Sequence, residues 1–571
     1  SQALAAKVAE RLTGWAGAYD YKALGEQNDF LILMAYGYVS ASNATPGSTA
    51  PIGWVENSLA YAVSEIPASK VLLGVAWYGY DWNRTTGPPA VARRYSQVSE
   101  AAQRNGATIQ YTEDGSPFVK YSENGQSHEV WFENRRSVEA KLSLVGKYGV
   151  AGAAGWRMGH EDPGVWQAMN ASLGFRTWLL AEGCTSPPFQ TWILIQNPNL
   201  AQVQATVTFM KEGGDTLVKE YRIGATSRFS VFANEVIPNA AFSTRVDSDL
   251  PVIVERAMYF GYDGHASAGV NAPSRVWYLP EGFTGGMDTW ILVMNPNPAP
   301  TTATISFLKE DGSVEKRTFQ MNPSSRLNVF ANQIVPGTAF STLVEADLPV
   351  VAERATYFNG GKGGHGSMGV PYTARKWYLA EGFTGGMDTF ILLMNPGSAA
   401  AQATVTFMKE SGETVVRIYS LKPTSRFTIP ANSVVPGVSF ATRVESDRPI
   451  VVERAMYWGS GEGGHSSMGV TAPANSWFLA EGCTASPFTE YVLMMNPNAS
   501  PATAIAYFMK DDGQVVVRQY DIGPYSRFTV QVNAVAPNAA HSTRIEASQP
   551  IVVERSMYFG RGGTNTTGVS Q

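Results

Sequence analysis

The sequence predicts a multidomain protein in which an α/β domain is followed by four all-β antiparallel sandwich repeats of immunoglobulin-like size. A tryptophan opens each repeat, at Trp178, Trp277, Trp377 and Trp477, in steps of 99 or 100 residues. The residues before Trp178 lack this pattern and alternate strand-like runs with helix-like runs. The predicted domains are therefore 1–175, 176–275, 276–375, 376–475 and 476–571.

Composition indicates folded globular domains and excludes several function classes. Of the 571 residues, 44% are hydrophobic and 16% are charged, with a net charge of −5. Basic residues do not cluster, so nucleic acid is not an expected partner. No apolar run is long enough to cross a bilayer, and no cofactor or metal motif occurs. A signal peptide is also lacking; we nevertheless expect an extracellular protein whose precursor N-terminus has been removed or is missing here.

The first domain reads as successive β/α units, which is typical of a parallel sheet. Predicted strands cover Ala3–Ala6, Phe30–Tyr36, Val71–Tyr78 and Val150–Trp156. Predicted helices cover Gly53–Val63, Tyr95–Arg104, Ser137–Lys147 and Pro163–Ser172. An insertion at about 88–133 contains its own short strands, joined by the hairpin turns Asp114-Gly115 and Asn124-Gly125.

Four runs in this domain resemble glycoside hydrolase family 18, in its bacterial spore and cell-wall branch. They are GWAGAYDYKALGEQNDFLILMAY, LLGVAWYGYDW, HEVWFENRRSVEAKLSLV and GVAGAAGWRMGHEDPGVW. The resemblance implies a (β/α)8 barrel of which residues 1–175 supply strands five to eight. Four strands cannot close a barrel, so we expect two unpaired sheet edges and an open interior face.

Two departures from the family pattern bear on activity. The family's general acid ends a D-x-x-D-x-D-x-E motif on strand four, and this chain has no such motif. On strand six the family usually has Met-x-Tyr-Asp, whereas here Gly37 follows Tyr36. Because leaving-group protonation needs that acid, no glycosidic cleavage is expected from this polypeptide alone.

The resemblance also implies a sugar-binding surface. Tyr36 and Trp156 match family positions that line the subsite at the scissile sugar, and other aromatic residues follow strand seven on the loop face. For Trp156 an ordinary place in the barrel core is the alternative. Structural roles are expected for Asp20 and Asp81 in loops and for Asp162 as a helix N-cap. The candidate carbohydrate-binding residues are Met34, Tyr36, Tyr78, Tyr80, Trp82 and Trp156.

Each repeat carries the same polar motifs between short strands. A Glu-Gly pair follows the tryptophan, a Ser-Arg pair comes later, and a Glu-Arg pair lies in an apolar strand. Because neighbouring strand residues point to opposite faces, we interpret the Glu-Arg pair as a scaffold contact and not as a catalytic pair. Three repeats have a histidine where the fourth has Thr564, which argues against a metal site. The Glu-Arg pairs are Glu255-Arg256, Glu353-Arg354, Glu453-Arg454 and Glu554-Arg555.

Only two cysteines occur, Cys184 and Cys483, at the same position of the first and fourth repeats. If the repeats form a string of separate beads, an intrachain bridge between them is improbable. They are either small apolar residues in a slot that elsewhere holds phenylalanine, or a bridge between neighbouring chains of an assembly.

These features lead to two functional hypotheses. In the first, the chain is a secreted surface protein whose repeats form a semi-rigid stalk or filament. Its incomplete hydrolase-like head would bind N-acetylglucosamine-containing polymers, and an ordered homopolymer is expected. In the second, the chain is a fragment of an active family 18 hydrolase and the repeats tether it to the cell wall.

Overall fold

A computed structural model describes residues 2–10, 13–28, 30–166, 169 and 175–570. The chain divides into two compact units, Ser1–Gly174 and Phe175–Gln571. The first is called the head below and the second the repeat unit. No helix in the described residues is long and apolar enough to span a membrane.

The head is built on a four-stranded parallel sheet with the strand order β1-β2-β3-β9. Its strands are β1 (Gln2–Ala5), β2 (Leu31–Met34), β3 (Val71–Ala76) and β9 (Gly152–Trp156). They agree with the four predicted strands to within a few residues at each end. The alternating burial of β2 shows why: Leu31 and Leu33 are buried on one face, while the intervening side chains are only half-buried.

One face of this sheet is covered by the helices α1 (Gly14–Gly17), α2 (Tyr21–Gln27), α3 (Ile52–Glu65) and α5 (Arg135–Tyr148), with a 3-10 turn at Ala68–Lys70. Helix α4 (Tyr95–Arg104) packs instead against the antiparallel sheet of the insertion. Val55, Leu59 and Ala62 of α3 pack with Val138 and Leu142 of α5 against the buried side of the strands. The helix predicted at Pro163–Ser172 falls partly outside the described residues.

In the described part of the head, the opposite face of the sheet is not covered by helices and its two edges are unpaired. In the sheet, β1 pairs only with β2 and β9 pairs only with β3. Ile32, Met34 and Leu72 point away from the helices and remain half-buried. Within the described part of the head, this face is therefore only partly covered, and a fully open interior face stays a prediction.

The insertion forms a second, antiparallel sheet with the order β5-β4-β8-β7-β6. Both predicted turns occur, and Asn124, Gly125 and Gly115 have the positive φ that such tight hairpins require. The sheet begins ten residues before position 88, because Tyr78–Asn83 leaves the parallel sheet and joins it. Its strands are β4 (Tyr78–Asn83), β5 (Val91–Arg94), β6 (Gln110–Tyr111), β7 (Pro117–Glu123) and β8 (Gln126–Trp131).

The repeat unit is almost entirely β-structure. The first repeat contains β10–β17, which cover Thr177–Leu180, Gln190–Asn197, Val203–Lys211, Thr216–Ile223, Ser227–Phe232, Phe242–Ser248, Ile253–Phe260 and Asp263–Ala268, with the short helix α6 at Ala233–Val236. The second contains β18–β24, which cover Ser274–Leu279, Asp288–Asn295, Thr301–Lys309, Val314–Met321, Ser325–Phe330, Phe340–Phe358 and Gly363–Met368. The third contains β25–β31, which cover Ala374–Leu379, Met387–Asn395, Ala401–Lys409, Thr414–Leu421, Ser425–Pro430, Phe440–Trp458 and Gly463–Met468. The fourth contains β32–β39, which cover Ala474–Leu479, Phe488–Asn496, Ala502–Lys510, Val515–Ile522, Ser526–Gln531, His541–Phe559, Gly562–Thr567 and Val569–Ser570. Short 3-10 turns lie at Ala331–Gln333, Ala431–Ser433 and Val532–Ala534.

Each repeat has two antiparallel sheets that share one core. In the first repeat the sheet orders are β10-β15-β12-β13 and β14-β11-β16-β17. Trp178 and Phe209 of one sheet pack with Ile193, Ile195 and Val254 of the other. In the later repeats a single 19-residue strand serves both sheets, as β23, β30 and β37. The arrangement agrees with the predicted two-sheet repeat.

The four repeats form a closed ring, so the expected semi-rigid rod is wrong. The inner strands β17, β24, β31 and β38 contact one another in sequence order, and β38 also contacts β17. The first and fourth repeats are thereby joined across a seam, with Glu255 paired to Arg555. Short linkers are compatible with a ring as well as with a rod. The repeats form a closed ring because each buries charged groups whose partners lie in the neighbouring repeats.

Candidate functional site

The candidate site lies at the carboxyl edge of the parallel sheet in the head. Tyr36 follows β2, Tyr78 follows β3 and Trp156 ends β9, so three parallel strands direct these residues to one edge. Gly74 of β3 makes room for Tyr36, since a Cβ at Gly74 would lie 3.2 Å from Cε1 of the tyrosine ring. In parallel β/α folds this edge is where binding residues gather.

Four aromatic rings form a continuous edge-to-face row. The ring centroids are 6.4 Å apart for Tyr36 and Tyr78, 5.4 Å for Tyr78 and Tyr80, and 5.8 Å for Tyr80 and Trp82. Tyr78, Tyr80 and Trp82 alternate along β4 and so share one face of that strand. Edge-to-face contacts of this kind stabilise a fixed aromatic surface.

The side chains of this surface differ in their exposure to solvent. Trp156 is 55% exposed, whereas Trp82 is 2% exposed and donates its Nε1 hydrogen to the carbonyl oxygen of Asn43 at 2.8 Å. Met34, Tyr36, Tyr78 and Tyr80 are half-buried. The accessible part of the row therefore runs from Tyr36 to Tyr80, with Trp82 as its buried support and Trp156 on the neighbouring strand.

Thr49, which sequence reasoning missed, supports the aromatic row by contacts with Tyr78 and Gly37. The Thr49 hydroxyl lies 3.2 Å from the Tyr78 hydroxyl and accepts a hydrogen bond from the Gly37 N–H at 3.1 Å. Gly37 is the residue that replaces the expected aspartate, and its φ of 85° suits glycine. Burial raises the pKa of Tyr78 to about 12, so its hydroxyl is protonated at neutral pH. Nothing in the local sequence marks Thr49, because it enters from a loop.

Asp20, Asp81 and Asp162 of this domain have structural roles, as expected. Asp20 accepts the N–H of Ala23 and caps α2. Asp81 is buried and accepts hydrogen bonds from the Arg93 guanidinium. Its Oδ1 also lies 2.8 Å from Nδ1 of His128. Asp162 accepts hydrogen bonds from the backbone N–H groups of Gly164 and of Arg135, the first residue of α5. Each carboxylate is occupied, which leaves none of the three as a free acid at the aromatic edge.

In the repeat unit the Glu-Arg pairs join neighbouring repeats. Glu255 accepts the Ala480 N–H at 2.6 Å and pairs with Arg555 of the fourth repeat at 2.9 Å. Arg256, the next residue, instead pairs with Glu353 of the second repeat at 2.5 Å. The two side chains thus point in opposite directions, as predicted, and each reaches a different neighbour. The other junctions are Arg354 with Glu453 and Arg454 with Glu554.

The remaining repeated motifs complete the same junctions. Arg228, of the Ser-Arg motif, donates to the Gly482 carbonyl oxygen across the seam at 2.6 Å. Tyr259 donates to Glu481, the glutamate of the fourth Glu-Gly motif, at 2.9 Å. Equivalent arginine contacts occur at the other junctions, from Arg326, Arg426 and Arg527. Recurrence of a buried polar residue in every copy therefore reflects contact between copies.

The histidines of the first three repeats belong to these junctions and not to a metal site. His265 and His365 each contact the arginine of their own repeat through Nδ1, and His365 and His465 contact a tyrosine of the next repeat. Burial lowers the pKa of His465 to about 4 and holds those of His265 and His365 well below the usual range. No cluster of metal-ligating side chains occurs in the described part of the chain.

Cys184 and Cys483 are free, half-buried thiols. Burial raises the pKa of both, which makes the reactive thiolate less available. In the ring their repeats are neighbours, which removes the reason for excluding an intrachain bridge, yet they remain unpaired. A bridge between chains stays a prediction.

The head is similar to one family model and to several known proteins. The model of the family Glycosyl hydrolases family 18 matches residues 2–161. The cortical fragment-lytic enzyme of Bacillus subtilis (strain 168) is 39% identical over 174 residues, which are 29% of this chain and 40% of that protein. The di-N-acetylchitobiase of Mus musculus is 27% identical over 168 residues, covering 24% of this chain and 44% of that protein.

A solved structure also matches part of this chain. The spore cortex-lytic enzyme SleL of Bacillus megaterium QM B1551 is 38% identical, with a TM-score of 0.27, and the match covers 29% of this chain and 39% of that chain. The chain therefore spans about two fifths of the length of these relatives, and the matched part is the head.

Proposed function

Because residues 2–161 belong to glycosyl hydrolase family 18, we propose that the head binds a polymer containing N-acetylglucosamine. The single observation that carries this proposal is the aromatic edge formed by Tyr36, Tyr78 and Trp156. Aromatic faces contact the apolar faces of sugar rings, and a fixed row loses little conformational entropy on binding. The repeat unit would act as a rigid scaffold for the head outside the cell.

We expect Trp156→Ala to weaken binding of chitin oligosaccharides by about tenfold, which corresponds to ~1.4 kcal/mol. Trp156 offers the largest exposed aromatic face at the carboxyl edge, so its removal takes away contact area without opening the core. Titration calorimetry of the full chain measures the effect.

Phe30→Ala is the matched control for this experiment. Phe30 is also exposed, at 46%, but it precedes β2 and so lies at the opposite edge of the same sheet. Binding that is equally weak in both variants, or unchanged in Trp156→Ala, would contradict the placement of the site.

A second expected result is that this 571-residue polypeptide does not hydrolyse chitin oligosaccharides or peptidoglycan. The chain has no D-x-x-D-x-D-x-E motif, and Gly37 replaces the carboxylate that holds the substrate's N-acetyl group in the family. Release of reducing ends above that of Trp156→Ala would defeat this expectation. The cortical fragment-lytic enzyme of Bacillus subtilis, assayed beside it, shows that each substrate preparation is cleavable.

The alternative function is that of a wall hydrolase, of which this chain is one part. The 39% identity to a cortical fragment-lytic enzyme favours it. Intact mass and N-terminal sequencing of the native protein distinguish the two: a longer species with the acid motif supports the hydrolase, and a native start near Ser1 supports the binding protein.

The proposed homopolymer is a separate matter. Two reasons favour it, the expected open apolar sheet face of the head and a rod with two unlike ends. The second reason no longer holds, because the described repeats satisfy one another in a ring. A polymer stays a prediction that light scattering of the native protein tests.

A further inference from the structure

One carboxylate lies where the four inner strands of the ring begin. Asp263 opens β17, and the equivalent residues of the other repeats are Gly363, Gly463 and Gly562. Asp263 is 1% exposed, and no cationic side chain in the described residues pairs with it. A buried charge of this kind needs other compensation.

The compensation comes from backbone N–H groups of three repeats. Oδ1 of Asp263 accepts hydrogen bonds from Gly264 at 2.9 Å and from Gly563 at 2.8 Å. Oδ2 accepts from Gly364 at 3.1 Å. An ionised carboxylate has about four acceptor positions, so these three donors occupy most of them.

The surrounding backbone leaves room for a single side chain. A Cβ at Gly562 would lie 2.3 Å from the Tyr262 carbonyl oxygen and 2.5 Å from the Asp263 Cα. A Cβ at Gly463 would lie 2.3 Å from the Arg561 carbonyl oxygen, and one at Gly363 would lie 2.8 Å from that of Glu462. One repeat can therefore supply the carboxylate, and the other three must carry glycine.

We propose that closure of the ring builds an axial anion site for a single carboxylate, and that Asp263 is its built-in ligand. The donors come from the first, second and fourth repeats, so the site is complete only when the seam between the fourth and first repeats is closed. Asp263 thereby stabilises the closed ring in preference to any open arrangement of the same repeats.

The electrostatics of Asp263 agree with this dependence on backbone donors. Burial raises the pKa of Asp263 to about 7, while the N–H groups of Gly563, Gly364 and Gly264 oppose the rise. Without a counter-ion, each missing donor leaves the buried charge less well compensated.

A small anion has a route to this position. A cavity of ≈ 250 Å³ lies at the seam between the first and fourth repeats, and Asp263 is part of its lining. Its other walls include Tyr259, Phe260, Tyr262 and Phe559. Removal of the Asp263 side chain would open this cavity toward the N–H groups that now bind its carboxylate.

The test replaces the built-in ligand with a free one. We expect Asp263→Gly, in the full chain, to lower the Tm of the repeat unit, and we expect sodium formate to raise it again in a concentration-dependent way. Asp263→Asn also loses stability, because an amide presents a donor to convergent donors, but formate does not restore it, since the amide fills the site. Sodium chloride at equal ionic strength controls for general salt effects.

Asp215→Gly, at an exposed turn of the same repeat, is the matched control and should neither lose comparable stability nor respond to formate beyond the wild type. If Asp263→Gly does not fold unaided, its refolding yield from urea with formate replaces the Tm as the readout. An Asp263→Gly protein as stable as the wild type overturns the proposal. A formate effect no larger than that on the wild type, in either readout, also overturns it.

Discussion

Glu255→Ala should destabilise the repeat unit by ~1.5–3 kcal/mol, because the buried Arg555 guanidinium loses its partner across the seam and keeps only Glu481 of its own repeat. Both side chains of this pair are fully buried. The Ala480 N–H also loses its acceptor. Urea unfolding followed by tryptophan fluorescence measures the loss.

The same variant distinguishes a ring from separate repeats. In the ring, the damage spreads to the fourth repeat, so the Ala480 amide of Glu255→Ala should exchange its hydrogen faster than in the wild type. In a string of independent repeats, a change at position 255 would leave that amide unaffected.

Two further variants complete the comparison. Arg245→Ala breaks an exposed pair with Asp247 and should cost no more than ~1 kcal/mol. The double variant Glu255→Leu, Arg555→Met removes both charges and should be more stable than Glu255→Ala. A Glu255→Ala protein no less stable than Arg245→Ala would show that the seam is open in solution.

Acidification should destabilise the repeat unit between about pH 6.5 and 5. The folded-state pKa of His465 is about 4, and those of His265 and His365 are also depressed by burial, against about 6.5 in an unfolded chain. In this window the unfolded state binds protons that the folded state does not. The free energy of unfolding therefore decreases as the pH is lowered. Three such groups give a slope of up to about 4 kcal/mol per pH unit, and Asp263, whose folded-state pKa is about 7, titrates with the opposite sign and reduces the net slope to about 3.

The fourth repeat supplies the control for this prediction, because Thr564 stands where the others have histidine. His465→Thr should reduce the slope by about 1.4 kcal/mol per pH unit, the contribution of one histidine. Urea unfolding at pH 7.0, 6.5, 6.0 and 5.5 measures the slopes, and an unchanged slope in His465→Thr would show that this histidine does not titrate as described.

The strands of both units could be predicted from periodicity and turn residues, but the assembly of the repeats could not. The run PIVVERAMYW, at 449–458, is apolar on both faces of the strand apart from Glu453 and Arg454. Such a run is typical of a strand covered on both sides. One face packs in its own repeat, and the charged pair is satisfied by the neighbours. Read in that way, the run indicates contact between repeats.

The candidate site shows a similar limit. Tyr36, Tyr78 and Trp156 could be placed at one edge from the strand pattern and the family resemblance. The burial of Trp82 could not, because it depends on Asn43 in a distant loop. The role of Asp263 could not be predicted either, since a single aspartate among glycines is not part of a motif. Its only sign in the sequence is that one copy departs from the other three.

The closed ring is equivalent to a cyclic homotetramer whose four subunits have been fused into one chain. Each interface is heterologous, and such interfaces form rings when their rotation closes. Fusion makes every association after the first intramolecular, so no single interface has to hold at the protein's bulk concentration. It also frees the subunits from being identical. One copy can carry the axial aspartate and another can lose its histidine, which four copies of a single short chain could not do.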